Sequence, residues 1–387
     1  MADNIRFFIK LSRVLCIILG LIVFNALYAE ITSVEKTTID SIINRAIQDS
    51  IFPGAVLCFG NSKNMTFINA YGRFDYSHQS NPVTIDCIYD LASLTKVIAT
   101  TSGIMRLVER GLLNINDPVS DHILDFGTKD KKQISIKNLL VHNSGLSPGS
   151  PLYSCCKTKE IALDSLFNLK LQYNTGEKTV YSDLGFIMLG LVVEKISNQS
   201  LDIYVNQILN KEMGMKKTSF NPDNSIWNQI IPTDPDINMR LIKKPGMVRN
   251  KITRNFNGVA GHAGLFSNAS DLATFATMYL NQGNNNGGEI FKKASIDNFS
   301  KKQSSKTTRA LGWDTGNGNQ KNKISNLFSD DAFGHTGFTG TSIWIDPTID
   351  LYIILLTNRT YEMTDRSLIN KFRPRIHDYI IEHTINK

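Results

Sequence analysis

The chain has 387 residues, of which 42% are hydrophobic and 20% are charged, and its formal net charge is +7. These values are typical of an ordinary globular protein with ample core. The basic residues are scattered and are not interleaved with aromatic residues in a stripe, which argues against nucleic acid as a partner.

The N-terminus has the layout of an export signal. Arg6, Lys10 and Arg13 precede the apolar run 14–24 and the segment 25–29, which predicts a secretory signal cleaved after Ala29. The run is shorter than the roughly 20 residues of a spanning helix, but residues 5–9 would lengthen it, so a membrane anchor is the alternative. Either way we expect the rest of the chain to be exported, periplasmic or secreted.

The first predicted elements after this signal are a helix and two strands. Thr32 and Glu35 form a capping-box pattern, and the apolar residues between 39 and 47 that follow recur on one helical face. Residues 54–60 and 65–71 then have strand patterns and are joined by a turn at 61–64.

From about residue 93 to residue 280 helical patterns dominate, and strand patterns return only at 311–313, 340–346 and 351–358. A closing helix is predicted at 374–385. Strands at both ends around a helical block predict an α/β (α+β) fold, in which one antiparallel sheet is built from both chain ends. We expect a single domain over 30–387, with an α/β part at about 30–92 and 305–387 and a helical part at about 93–304.

Ser93 and Lys96 form the strongest candidate for chemistry. They follow a short apolar approach at 88–92 and open a predicted amphipathic helix, on which residues three apart share a face. A partly desolvated lysine has a lowered pKa and can take the proton of a serine hydroxyl. The pair therefore predicts a nucleophile and a general base for acyl transfer.

The same spacing occurs at Ser33/Lys36 and at Ser154/Lys157, so the spacing by itself is weak evidence. Only Ser93 lies between an apolar approach and an amphipathic helix. The alternative for Ser93 is a helix N-cap without a chemical role.

Three later segments add candidates. Tyr181 precedes a predicted helix at 184–196 and either packs in the core or relays protons. His335, Thr336 and Gly337 lie at a predicted strand edge, either as a substrate-binding edge or as a tight turn with a solvated histidine. His262, in a glycine-flanked loop, is expected to tie that loop together rather than to act as a base.

Residues 145–149 fit the Gly-x-Ser-x-Gly pattern of a nucleophile elbow around Ser147. That elbow needs a strand before it and a helix beginning at the serine. The residues before it, 136–142, have a helical pattern and a loop follows Pro148, so we interpret Ser147 as a decoy.

The cysteines outside the signal are Cys58, Cys87, Cys155 and Cys156. Export permits disulfides, and Cys58 with Cys87 is the pair that we would test. Adjacent Cys155 and Cys156 are expected to be free thiols, and no Cys/His spacing typical of a metal site occurs.

Taken in order, Ser93-x-x-Lys96, Tyr181-Ser182-Asp183 and His335-Thr336-Gly337 resemble the three motifs of the penicillin-recognising serine hydrolases. Further stretches at 90–96, 138–146, 258–267 and 335–341 are similar to the class C β-lactamase-like branch, which includes low-molecular-mass penicillin-binding proteins and esterases. The resemblance covers residues 35–360.

This resemblance implies a β-lactamase/transpeptidase-like fold with Ser93 as the nucleophile, Lys96 as the general base and Tyr181 as the proton relay. It implies an oxyanion hole formed by the backbone N–H groups of Ser93 and Phe338. No metal or cofactor is implied, and we expect a monomer that acts on a small molecule or a peptidoglycan peptide.

Two departures from the family pattern concern the substrate. Asp183 replaces a frequent asparagine, so that an amide donor becomes an acceptor-only carboxylate. His335 replaces a frequent lysine and is only partly charged near neutrality. Both changes weaken the expected binding of a substrate carboxylate, although Asp183, His335, Thr336 and Gly337 remain the predicted substrate-binding residues.

Three hypotheses follow from the sequence. The first is a D-alanyl-D-alanine carboxypeptidase-like enzyme that acts on peptidoglycan peptides. The second is a carboxylesterase or weak β-lactamase with the same chemistry. The third is a non-catalytic wall-binding protein, against which the intact Ser93, Lys96 and Tyr181 argue.

Overall fold

The computed structural model describes residues 32–127, 129–149, 158–234, 248–285, 287–304, 307–316, 324–362 and 365–384. The predicted signal, the Ser154/Lys157 pair, Cys155 and Cys156 lie outside these ranges. None of the helices within them combines the length and the apolar composition that crossing a bilayer requires.

The strands form one large sheet and two small ones. In chain order the strands are β1 (Gly54–Gly60), β2 (Met65–Gly72), β3 (Tyr89–Asp90), β4 (Ser219–Phe220), β5 (Leu265–Ser267), β6 (Asn284–Asn285), β7 (Gly288–Glu289), β8 (Asp314–Thr315), β9 (Phe333–Thr336), β10 (Ser342–Asp346) and β11 (Leu351–Thr357). The large sheet has the order β2-β1-β11-β10-β9-β8, while β3-β5-β4 and β6-β7 form the small sheets.

The two ends of the chain meet in the middle of the large sheet. Strand β1 pairs antiparallel with β11, from Ala55 opposite Thr357 to Gly60 opposite Tyr352. The other pairs of this sheet are antiparallel as well. The predicted sheet built from both ends is therefore confirmed.

The helices lie on both faces of this sheet. In chain order they are α1 (Ser33–Gln48), α2 (Ser102–Glu109), α3 (Ile136–Leu140), α4 (Lys159–Asn168), α5 (Asp183–Ser197), α6 (Leu201–Asn206), α7 (Lys251–Asn255), α8 (Ala269–Leu280), α9 (Lys293–Ser300) and α10 (Arg366–Thr384). The capping box of α1 is formed by Thr32 and Glu35, as predicted.

Strand β1 is buried along its whole length because each face of the sheet is covered. Side chains alternate between the faces of a strand. Leu57 and Phe59 accordingly join a core with α1 and α10, whereas Val56 and Cys58 join the core of the helical region. The sheet is the middle layer of three.

Two predicted elements are wrong in position, and one strand was not predicted. The closing helix begins at Arg366, and Pro374 lies inside it. Proline removes one backbone hydrogen bond, but buried residues on both sides of it, Phe372 and Ile376, keep the helix against the sheet. The strand expected at 311–313 is β8, which begins three residues later. Strand β9 was not predicted, because its four residues are too few to show an alternation of apolar and polar side chains.

The two described cysteines do not form the candidate disulfide. Cys58 and Cys87 are buried free thiols. Burial raises the pKa of Cys58 to about 12 against a smaller opposite effect of its hydrogen bond with Tyr352. The Cys87 sulfur accepts a hydrogen bond from the Thr84 N–H at 3.2 Å. Each thiol therefore has its own partner.

Strand β11 offers a test of this layering. Leu356 is fully buried in the helical-side core, so Leu356→Ala is expected to lower the free energy of unfolding by about 2–5 kcal/mol. Urea denaturation measures the loss. Leu124→Ala is the control because this leucine is 82% exposed, and equal losses in the two variants would contradict the central position of β11.

Candidate active site

Ser93 lies in an irregular turn rather than at the start of a regular α-helix. A 3₁₀ turn (Ala92–Leu94) is followed by a π-helical turn (Lys96–Thr101) and then by α2. No side chain caps any of these three segments, so the alternative role of Ser93 as a helix cap is wrong.

The residue before Ser93 has a strained backbone. Ala92 has a φ of +47°, a conformation that costs about 1–2 kcal/mol for a residue with a Cβ. The Ala92 N–H donates to the Asp90 carboxylate at 2.8 Å. The other oxygen of Asp90 accepts from the Arg249 N–H at 3.0 Å. Asp90 thus holds the turn that presents Ser93.

Lys96 brings three segments together around its ammonium group. The lysine is fully buried, and its Nζ lies 3.3 Å from the Ser93 Oγ. It also donates to Asp183 Oδ1 at 2.7 Å and to the His262 carbonyl at 2.9 Å. The predicted proximity of Ser93 and Lys96 is therefore present in the structure.

The charge state of Lys96 differs from the expected one. Burial lowers the pKa of Lys96, but Asp183 and Tyr181 together raise it further, and the net direction is upward. The prediction of a lowered pKa is wrong because it considered desolvation without the ion pair. At neutral pH Lys96 is charged in the resting protein.

Tyr181 lies next to this pair. The Lys96 Nζ is 5.0 Å from the centre of the Tyr181 ring. Tyr181 is half-buried, and its hydroxyl oxygen is buried. Burial raises the pKa of Tyr181, against the opposing charge of Lys96, so the phenol is neutral. Hydrogen bonding with Lys96 and Ser93 acts against burial on this pKa, although neither contact of the hydroxyl has full hydrogen-bond geometry among the described residues.

His335 is inside the protein rather than at a solvated edge. It belongs to β9 and is 2% exposed, which excludes the alternative of a solvated turn. Burial, Arg309 and Lys96 hold the pKa of His335 well below its ordinary value. The expected partial charge is therefore wrong: His335 is neutral, and its ring faces that of Tyr181 at 5.8 Å between ring centres.

The segment after His335 is docked onto the backbone that leads to Ser93. The Thr339 hydroxyl donates to the Asp90 carbonyl at 2.8 Å, and the Thr341 hydroxyl donates to the Leu91 carbonyl at 3.3 Å. A Cβ on Gly337 would lie 2.6 Å from the Leu91 oxygen, so this close approach requires glycine. Thr336 is half-buried beside it.

Phe338, next to Gly337, is the predicted second oxyanion donor. Its side chain is 42% exposed. Among the backbone hydrogen bonds of the described residues, none uses the Phe338 N–H as donor. The group is thus available beside the turn that carries Ser93.

The loop with His262 supports Lys96, a role that was not predicted from the sequence. The Gly261 carbonyl accepts from Thr100 Oγ1 at 2.7 Å, one residue before the His262 carbonyl that binds Lys96. The His262 ring contacts Asn250 at 3.3 Å. Burial lowers the pKa of His262 to about 4, so the ring is neutral and only weakly basic at neutral pH.

Sequence reasoning missed three supporting residues. The His142 Nδ1 accepts from the Ser182 N–H at 3.1 Å, and its ring packs 4.5 Å from that of Tyr181. The Arg309 guanidinium lies 5.5 Å from the Tyr181 ring and pairs with Asp314 at 2.8 Å. Asp90 is the third. His142 and Asp90 lie in stretches that resemble the family, and this resemblance was the only feature of the sequence that could have indicated their roles.

Ser147, the serine of the Gly-x-Ser-x-Gly pattern, has a structural role. It follows the short helix α3 and no helix begins at it. Its carbonyl accepts from the Ser182 hydroxyl at 2.6 Å, which fixes the residue between Tyr181 and Asp183. Within the described part of the chain, no group of three His, Cys, Asp or Glu residues is placed to hold a metal ion.

The ion pair of Lys96 and Asp183 has a pH-dependent consequence. In Asp183→Asn, burial dominates and the pKa of Lys96 falls below its ordinary value. At a pH between the lowered pKa of Lys96 in the folded variant and its ordinary pKa in the unfolded chain, the unfolded chain binds more protons than the folded one. The stability of the variant therefore rises with pH in this range. At neutral pH we expect a loss of about 3–5 kcal/mol, because a buried charge loses its counter-ion.

Urea unfolding between pH 6 and pH 10 measures this effect. The control is Asp297→Asn, which breaks the Lys293–Asp297 pair in which both side chains are more than half exposed. Such an exposed pair is expected to contribute less than about 1 kcal/mol, without the same pH trend. Equal, small losses in both variants would contradict a buried ion pair at Lys96.

Comparisons with known proteins identify the family. A family model described as Beta-lactamase matches residues 39–376. N-acetylmuramyl-L-alanine amidase of Bacillus subtilis (strain 168) is 32% identical over 372 residues, 88% of this chain and 84% of that protein. A Salmonella agona (strain SL483) protein named "Putative D-alanyl-D-alanine carboxypeptidase" is 32% identical over 315 residues, 74% of this chain and 73% of that protein.

A solved structure shares the fold. The class C beta lactamase from Rhodobacter sphaeroides has a TM-score of 0.69 and 17% identity, and the match covers 89% of this chain and 98% of that one. The predicted β-lactamase/transpeptidase-like fold is confirmed. The chain therefore belongs to the β-lactamase family, whose members are serine hydrolases.

Proposed function

We propose that the protein is an exported serine hydrolase that forms an acyl-enzyme on Ser93 and removes D-alanine from peptidoglycan peptides, as a carboxypeptidase-like penicillin-binding protein. The observation that carries the chemistry is the 3.3 Å contact between the Ser93 Oγ and the buried Lys96 Nζ. The sequence pattern of residues 1–29 supports export, periplasmic or secreted, with a membrane anchor as the alternative.

The first step needs an acceptor for the Ser93 proton, although Lys96 is charged at rest. Asp183 lies 2.7 Å from the Lys96 Nζ. Transfer of one proton from Lys96 to Asp183 along this contact gives a neutral amine and a neutral carboxylic acid. The net charge of the site does not change, so the transfer leaves no unpaired charge in the buried site. The amine then takes the Ser93 proton. In this proposal Asp183 stores a proton for the general base.

The Ser93 oxygen attacks the substrate carbonyl while its proton moves to Lys96. The negative charge that develops on the carbonyl oxygen is stabilised by the N–H groups of Ser93 and Phe338, and one such donor is worth about a hundred- to thousandfold in rate. Tyr181 passes a proton to the departing amine or alcohol and recovers one from the neighbouring Lys96 ammonium, so that the proton of Ser93 ends on the leaving group. Water then attacks the acyl group and regenerates Ser93.

The names of the relatives support a peptidoglycan peptide as substrate. One is named as an amidase of N-acetylmuramyl-L-alanine and the other as a D-alanyl-D-alanine carboxypeptidase. Both names describe cleavage of an amide bond. The second candidate, a carboxylesterase or weak β-lactamase, is favoured by His335, which supplies no charge for a substrate carboxylate.

Covalent labelling tests the nucleophile. A fluorescent penicillin, or an activated ester such as p-nitrophenyl acetate, is expected to label wild-type protein on Ser93, and Ser93→Ala is expected to reduce labelling by at least about a thousandfold. Ser147→Ala is the matched control and should label normally, because Ser147 does not contact Lys96. Loss of labelling in the control alone would assign the nucleophile to Ser147, and no adduct with either reagent would favour a wall-binding protein.

Digestion of purified muropeptides tests the substrate. Pentapeptides that end in D-alanyl-D-alanine are incubated with the wild-type protein and with Ser93→Ala, and the products are analysed by mass spectrometry. We expect release of one D-alanine by the wild-type protein only. Ester hydrolysis without D-alanine release would instead support the carboxylesterase, and separation of the peptide from the muramyl group would support an amidase.

A further inference from the structure

The turn between β9 and β10, residues 337–341, carries the Phe338 N–H and is closed by its own hydrogen bonds. The Gly340 N–H donates to the Gly337 carbonyl at 3.1 Å, and the Gly337 N–H donates to the Thr341 carbonyl at 2.8 Å. The Gly337 carbonyl and the Phe338 N–H belong to the same planar peptide group. The direction of the Phe338 N–H is therefore set by the bonds that hold this turn.

A buried arginine from the last helix binds the end of the 337–341 turn. Arg373, on α10, is 3% exposed. Its Nη2 donates to the Gly340 carbonyl at 2.8 Å and to the Thr341 carbonyl at 3.1 Å. The core that contains α10 lies on the face of the sheet opposite to the helical region. Arg373 thus reaches the turn from the layer that does not carry Ser93.

The Arg373 guanidinium has no acidic partner among the described residues. Burial, and then the charges of Arg359 and Arg366, lower the pKa of Arg373 to about 9, so the group is charged at neutral pH. A buried charge without a counter-ion is costly. Docking of α10 does not need this charge, because Phe372 and Ile376 are buried on either side of it. The two carbonyls of the turn are the groups that offset its cost.

The same turn is also held by neutral contacts with the end of β11. The Thr339 carbonyl accepts from the Arg359 backbone N–H at 3.0 Å and from the Thr357 hydroxyl at 3.2 Å. A Cβ on Gly340 would lie 2.0 Å from the Thr357 Oγ1, so the turn is packed closely against this strand. Arg373 adds a charged contact on the other side of the same peptide groups.

We propose that Arg373 is a positioning residue for the oxyanion hole: its contacts with the Gly340 and Thr341 carbonyls hold the Phe338 N–H where the substrate oxygen becomes negative. A misplacement of about 1 Å can cost about a hundredfold in rate, which is comparable to the loss of one oxyanion donor. Arg373 acts through the turn and not on the substrate. The inference rests on the proposed function, because the oxyanion hole is needed only if Ser93 forms an acyl-enzyme.

The variant Arg373→Gln tests this role, because it removes the charge and leaves the two carbonyls without their donor. Hydrolysis of p-nitrophenyl acetate is measured per active site, and the active sites are counted by labelling Ser93 to its end point with a fluorescent fluorophosphonate. We expect kcat and kcat/KM to fall together by about tenfold to a hundredfold, with KM nearly unchanged, since the contact acts in the transition state. Counting active sites removes the effect of unfolded protein.

Inhibition by phenylboronic acid is the second measurement. A boronic acid adds to a serine hydroxyl and forms a tetrahedral adduct that resembles the transition state, with one oxygen in the place of the oxyanion. Its inhibition constant does not depend on how much of the protein is active. We expect this constant to rise by about tenfold in Arg373→Gln, because a transition-state analogue loses affinity together with the transition state.

Two further variants separate positioning from a general structural effect. Arg373→Lys keeps the charge and one donor group, so it should lose less activity than Arg373→Gln, and it retains the test if the glutamine variant does not fold. Arg106→Gln is the control, since Arg106 also binds a backbone carbonyl, that of Ile290 at 2.8 Å, and pairs with Glu212. The control is expected to lower stability without changing kcat per active site or the inhibition constant.

The outcomes separate the two proposals. If the wild-type protein is not labelled on Ser93 and does not hydrolyse the ester through Ser93, the proposed function is wrong and the inference is wrong with it. If the wild-type protein acts through Ser93 but both Arg373 variants keep its kcat per active site and its inhibition constant, the function stands and the role of Arg373 is overturned. A change in KM alone would overturn that role as well.

Discussion

The burial of the Lys96 ammonium is the constraint on which the site depends. An ammonium group without solvent contact is costly unless each of its three N–H donors has a partner. The partners here are Ser93 on the nucleophile turn, Asp183 at the start of α5 and the carbonyl of His262 in the loop before β5. Three segments that are far apart in sequence must therefore converge before the charge is satisfied. The packing of the helical region thus brings the residues of the site together.

The sheet is attached to this centre through backbone carbonyls rather than through charged groups. Thr339 and Thr341, between β9 and β10, bind the carbonyls of Asp90 and Leu91. Those two residues immediately precede the strained Ala92, whose N–H is held by the Asp90 side chain. The cost of the strained φ is offset by hydrogen bonds from both sides of the turn. The position of Ser93 relative to Phe338 is consequently fixed by the rigid part of the fold, as a preformed oxyanion site requires.

The sequence predicted what depends on local spacing or on alternation. The Ser93–Lys96 contact needs only one helical turn, and β1 and β11 are recognisable because each is continuously apolar. The pKa of Lys96 could not be predicted in the same way, since its dominant partner Asp183 is 87 residues away. Residues around Pro374 show a second limit: a proline normally marks a helix start, but tertiary packing kept the helix continuous on both sides. Burial of His335 is a third case, because four residues of β9 are too few to reveal which side faces the core.

The neutral rings around the ion pair follow from its charge. His142, His262 and His335 are buried near Lys96, and in each the pKa is lowered mainly by burial. The charge of Lys96 lowers it further in all three, although Asp183 acts in the opposite direction on His262. A further proton on any of them would add a positive charge beside an existing one. The ion pair thus keeps its surroundings neutral, and the Tyr181 phenol stays protonated for the opposite reason, since burial opposes its anion. In a site with one internal ion pair and neutral rings around it, a single proton can move without leaving a second group charged.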